Sequence, residues 1–139
     1  MNPPVRFPYG AGDPGRSRSS QLAYLPITLI RDSRSVAVSG LLDTGSTVNV
    51  LPYGAGLQLG FVWEDQSIPV YLTGSLARVP ARAVIVTGVI EAFPAVELAF
   101  AWTQTDEVPV ILGQTNFFME FEVCFFRAKL EFEVKPKSP

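Results

Sequence analysis

From residue 22 onward, apolar positions come in short runs rich in β-branched and aromatic side chains, each closed by Gly, Pro or Ser, which is the spacing of an all-β domain. Strands are expected over 22–30, from 36 through Gly40 to Leu42, and over 47–51, 68–72, 79–90, 95–101, 108–112 and 121–134. The last stretch alternates most cleanly. Leu130, Phe132 and Val134 oppose Glu131, Glu133 and Lys135, a period of two that buries one face and leaves the other wet. One helical turn fits 52–60, with Pro at its start and Gly at its end. A short helix fits 114–119, near the C-terminal end of the domain. The runs at 68–72 and 79–90 read as the arms of a hairpin whose tip, Thr73-Gly74-Ser75, is small and polar and therefore suited to movement.

Residues 1–20, rich in Pro, Gly, Ser and Arg, read as a flexible leader, 21–135 as one folded domain and 136–139 as a frayed tail. A chain of 139 residues can bury roughly 68–70% of its unfolded surface, enough for a core without staples. Its 47% hydrophobic and 17% charged content fits a folded domain rather than a disordered one. No run reaches the roughly 18 apolar residues that a membrane span requires, and none has signal-peptide form. A cytoplasmic protein with no membrane partner is therefore expected. The formal net charge of −2 offers no basic excess for phosphates, so no nucleic-acid partner is expected either.

The absences narrow the chemistry further. There is no histidine and a single cysteine, Cys124, which excludes Ser-His-Asp and Cys-His catalysis and His- or Cys-ligated zinc. No metal and no cofactor are expected. Cys124, inside Val123-Cys124-Phe125-Phe126, reads as a small buried hydrophobe. Phe117, Phe118, Phe121 and Phe125 read as core, and Arg78 and Arg82 as solvated charges at a strand edge.

Asp43 is the one acid embedded in apolar sequence, preceded by Leu41 and Leu42 and followed by Val48, Val50 and Leu51. An ionised carboxylate in such a place needs donors around it. Thr44, Gly45 and Ser46 can provide them: the Gly45 amide and the Ser46 hydroxyl are both expected to point at the carboxylate. A single acid cannot both activate water and protonate a peptide carbonyl. Two carboxylates sharing one proton can divide the task. With only one such acid per chain, the second must come from another copy, and a twofold axis brings two copies of one residue together.

The run Leu41-Leu42-Asp43-Thr44-Gly45-Ser46, followed by Val48-Asn49-Val50-Leu51-Pro52, resembles the active-site strand and loop of retropepsin-like aspartic proteases. Val110-Ile111-Leu112-Gly113, with Phe117-Phe118 and Phe121-Glu122-Val123 behind it, resembles the second motif of that family, in the family's order and with a hairpin between the two. The resemblance implies a closed, mostly β barrel (the acid protease fold) with one short C-terminal helix, acting as a homodimer on polypeptide substrates. Asp43 would be the catalytic residue, holding a water with its counterpart, and Thr44, Gly45 and Ser46 would support it. Thr73, Gly74 and Ser75 would form a flap over the substrate, and Ile111, Leu112 and Gly113 the wall beneath. Gln114-Thr115-Asn116 departs from the Arg and acid or amide usual after the glycine in retroviral members, and Ser46 replaces their alanine.

Taken alone, Asp-Thr-Gly-Ser is also what any tight turn prefers. The phosphate loop of sugar kinases and actin-like ATPases begins in a similar way, but it belongs to two α/β lobes that 139 β-rich residues cannot build. Two other functions fit the same fold: a dimeric module that binds extended peptide without cutting it, and a protease that cuts only its own leader.

Overall fold

A computed structural model of the chain describes residues 2–10 and 21–138. The strands are β1 (Val5–Pro8), β2 (Tyr24–Arg31), β3 (Arg34–Leu42), β4 (Asn49–Leu51), β5 (Ala81–Val89), β6 (Val96–Thr103), β7 (Val110–Leu112), β8 (Phe121–Phe126) and β9 (Glu131–Pro136). Two short helices interrupt them, α1 (Tyr53–Gln58) and α2 (Phe117–Glu120). Six strands close into a barrel in the order β2-β3-β7-β4-β6-β5, and β1, β9 and β8 form a separate three-stranded sheet.

The alternation in β2 turns Leu25, Ile27 and Leu29 inward, and that in β5 does the same for Val84 and Val86. Leu25, Leu29, Leu51, Leu98, Phe100, Trp102 and Leu112 are fully enclosed within the barrel. Each such side chain contributes about 1.5–3 kcal/mol relative to an exposed position. β2 and β3 join through Asp32 and Ser33, with Asp32 at φ 54°, a conformation that the short Asp side chain tolerates. β7 lies between β3 and β4, parallel to the first (Leu41 opposite Ile111) and antiparallel to the second (Val50 opposite Ile111). The chain leaving β3 must therefore arch over the end of β7 to reach β4. Residues 43–48 are that arch.

Several expectations change. Val5–Pro8, read as part of the leader, is a strand antiparallel to β9, with Phe7 stacked on Phe132 at 5.4 Å between ring centres. Its Pro-rich flanks hid a four-residue alternation. Residues 11–20 of the expected leader, with Met1 and Pro139, lie outside the described residues. Pro136, read as the start of a frayed tail, pairs with Phe121, and the Lys137 amide donates to the Glu120 carbonyl at 3.0 Å.

The single expected strand over 121–134 breaks into β8 and β9 at a 3-10 turn, Arg127–Lys129, with Leu130 at φ 52°. The helical turn expected over 52–60 is α1, whereas the helix expected near the C-terminal end is α2, only Phe117–Glu120 and followed by two strands. Cys124 is exposed rather than buried, because alternate residues of an apolar strand face opposite sides and its side is the outer one. Phe117 and Phe121 are core, Phe118 is half-buried and Phe125 is 40% exposed.

Candidate active site

At the arch, Asp43 is half-buried, while Thr44 and Gly45 are exposed. Its carboxylate Oδ1 accepts a hydrogen bond from the Gly45 amide at 3.0 Å. The expected second donor goes elsewhere: the Ser46 hydroxyl donates to the Val48 carbonyl at 2.7 Å and stiffens the loop from within. A row of bonds from the strand end below holds the arch in place. The Asp43 amide donates to the Leu112 carbonyl (3.0 Å), the Gln114 amide to Ser46 (2.9 Å) and the Thr115 amide to Thr47 (2.9 Å). The Gln114 side-chain amide donates to the Thr44 carbonyl at 2.8 Å. Gly113 is needed beneath, because any side chain there would collide with the Val48 and Ser46 carbonyls.

Asp43 opens onto a cleft of about 280 Å³. Gly45, Ser46 and Thr47 bound it on the loop side, Val48, Val50 and Ile111 form its apolar floor, and Thr73, Gly74, Ser75 and Leu76 lie across from them. The residues expected from sequence to form a flap thus share a cleft with the acid, although the hairpin differs from the one expected. Its arms meet at Pro69 opposite Arg82, held by Val70 N–H to Ala81 O and Ala83 N–H to Ile68 O, each 2.9 Å. The pairing is a single bridge and does not extend to the tip. The tip is a 3-10 turn, Gly74–Leu76, with Gly74 at φ +64° and open space around it.

Of the three expected wall residues, only Ile111 faces the cleft. Leu112 points the opposite way, into the core against Gly40, and Gly113 packs under the loop backbone. A larger hollow of about 410 Å³ lies between Trp63, Tyr71, Arg78 and Gln104, and no acid lines it. Arg82, read from sequence as a solvated charge, stacks on Trp63 with its guanidinium 4.5 Å from the ring and donates to the Trp63 carbonyl at 2.7 Å.

Sequence reasoning passed over Asn49, which is fully buried. Its Oδ1 accepts from the Gly113 amide (2.8 Å), and its Nδ2 donates to the Ala99 carbonyl (2.9 Å) and to Asn116 Oδ1 (3.2 Å). Asn116 in turn donates to the Glu97 carbonyl (2.9 Å) and accepts from the Ala99 amide (3.0 Å). This pair of amides ties the far end of the arch and the segment after β7 to β6. The available signal was one amide side chain set among Val48, Val50 and Leu51, since a polar group in an apolar strand must find internal partners.

Among the described residues no helix is long and apolar enough to cross a membrane. No protein-family model matches the chain, and no curated protein matches its sequence. Solved structures do. A retropepsin-like aspartic protease from Rickettsia conorii superposes with a TM-score of 0.68 at 13% identity, over 95% of this chain and 90% of that one. The EIAV protease, in complex with the inhibitor HBY-793, gives a TM-score of 0.52 at 16% identity over 71% of this chain and 88% of its own. The closed six-stranded barrel, with its few helices and its acid-bearing arch, has the fold of the retropepsin-like aspartic proteases.

Proposed function

We propose that the chain is an aspartic endopeptidase whose active site forms when two copies bring their Asp43 residues together. The observation that carries this reading is the cleft in which one half-buried carboxylate faces the 73–76 turn within a retropepsin-like fold. An extended peptide would lie between that turn and the floor of Val48, Val50 and Ile111, so apolar side chains next to the cut bond are favoured. One Asp43 carboxylate takes a proton from water as the water oxygen attacks the peptide carbonyl carbon. The other Asp43, protonated, gives its proton to the carbonyl oxygen. The tetrahedral diol then collapses: the C–N bond breaks, the first Asp43 passes the proton it took from water to the leaving nitrogen, and a diol hydroxyl returns a proton to the second Asp43.

Thr44, exposed at the crown of the arch, would meet its counterpart across the axis. Beside it lies a hollow of about 350 Å³ walled by Leu22, Leu41, Leu42 and Phe125. Leu22 and Phe125 are both substantially exposed, and a second copy would cover them.

The test is cleavage of casein or a peptide library from pH 4 to 8 by the wild type and by Asp43→Asn. The asparagine cannot accept the water proton, so cutting should fall to background while the assembly state is unchanged. No cutting by either protein, together with retained peptide binding, would favour the non-catalytic peptide-binding module.

A further inference from the structure

The Thr44 carbonyl and the Gly45 amide belong to one peptide unit, and this unit is bonded at both ends. Its N–H reaches Asp43 Oδ1 at 3.0 Å, and its C=O receives the Gln114 side-chain amide at 2.8 Å. In a trans peptide these two groups point in opposite directions, so fixing one aims the other. Gln114 itself is anchored, because its backbone amide donates to the Ser46 carbonyl at 2.9 Å. Without the side chain, this unit at the exposed crown would keep only its bond to the carboxylate and could rotate away. Glycine on one side makes that rotation cheap.

Resting on the hydrolase reading above, we infer that Gln114 is a positioning residue: it holds the Thr44–Gly45 peptide plane so that the Gly45 amide stays on the Asp43 carboxylate. The clamp is uncharged on both sides. Its partner is a carbonyl, and residues 43–49 contain no titratable side chain except Asp43. Of the other acids near this corner, Glu97 is exposed and Glu120 pairs with Lys137. The hold should therefore persist across pH and salt, unlike one built from an ion pair.

Three substitutions at the position separate donation from bulk. Gln114→Met keeps the length and removes the donor, and kcat should fall roughly three- to tenfold at every pH. Gln114→Arg keeps an N–H donor and should remain near wild type. Gln114→Glu donates only while protonated, so its activity relative to wild type should fall as pH rises through the ordinary glutamate range, about 4.3. A Gln114→Glu deficit equal to that of Gln114→Met at all pH values would overturn the assignment, as would wild-type kcat in Gln114→Met.

A second readout needs no catalysis. In 1H–15N spectra the Gly45 amide should exchange with solvent several-fold faster in Gln114→Met than in wild type. An unchanged Gly45 amide overturns the inference whatever the kinetics show. A shifted amide in a wild-type protein that cleaves nothing would leave the inference standing and remove the hydrolase reading.

Discussion

The indole of Trp102 leaves no room for a side chain on the facing turn of α1. A Cβ at Gly56 would overlap the Trp102 ring, which is pinned by stacking on Tyr53 (5.5 Å between centres), by the edge of Trp63 (5.4 Å) and by donation from its Nε1 to the Tyr53 carbonyl at 3.1 Å. Gly56→Ala should therefore cost about 1–3 kcal/mol, read as a lower urea midpoint. Leu57→Ala, one residue along and 45% exposed, should change stability by less than about 0.5 kcal/mol. Nothing local in the sequence marks this site, because the glycine and the tryptophan are far apart in the chain. Asp43 was legible for the opposite reason: its apolar approach and its turn residues are all neighbours. The same locality misled at Ser46, whose hydroxyl donates to the Val48 carbonyl and not to the neighbouring carboxylate.

At the level of the elements, β4 is only Asn49–Leu51, yet all three residues are buried and the strand carries the end of the arch. Besides its backbone pairing with β6, one amide side chain ties it to the Ala99 carbonyl and to the Gly113 amide. Asn49→Ala leaves the Gly113 amide and the Ala99 carbonyl without those bonds, and should cost about 2–3 kcal/mol in denaturant unfolding. Asn49→Asp should be at least as damaging, since a carboxylate accepts from Gly113 but cannot donate to Ala99. Most strands were visible as runs of apolar residues, because the period of two is a local property. Which runs lie side by side was not, since β7 is inserted between β3 and β4 from some sixty residues further along the chain. The hairpin over the cleft was found in outline, but its ladder is a single bridge and its tip a 3-10 segment.

For the molecule as a whole, a site that needs two copies must weaken on dilution. If Asp43 works only as a pair, activity per chain should drop as total protein is lowered through the dimer dissociation constant, and sedimentation equilibrium should place that constant in the same range. Constant activity per chain across that range would rule out a shared site. The overall architecture could be inferred because two short motifs and the segment between them stand in one order in the chain. The terminal sheet could not be. Val5–Pro8 contributes just four residues, and its apolar members make sense only once Phe132 and Val134 are seen beside them.

That sheet also bears on what trimming of the N-terminus would do. β1 is held by a full register with β9 and by the ring of Phe132, with Arg6 reaching Glu131 and Glu133 at 3.2 and 2.6 Å. A cut in the stretch linking residue 10 to residue 21 would sever the chain without detaching its first piece, which would stay docked as a separate peptide. If the chain cuts itself there, as the proposed activity would allow, the product would be a two-piece protein that runs as a smaller band on a denaturing gel but keeps its full mass in native solution.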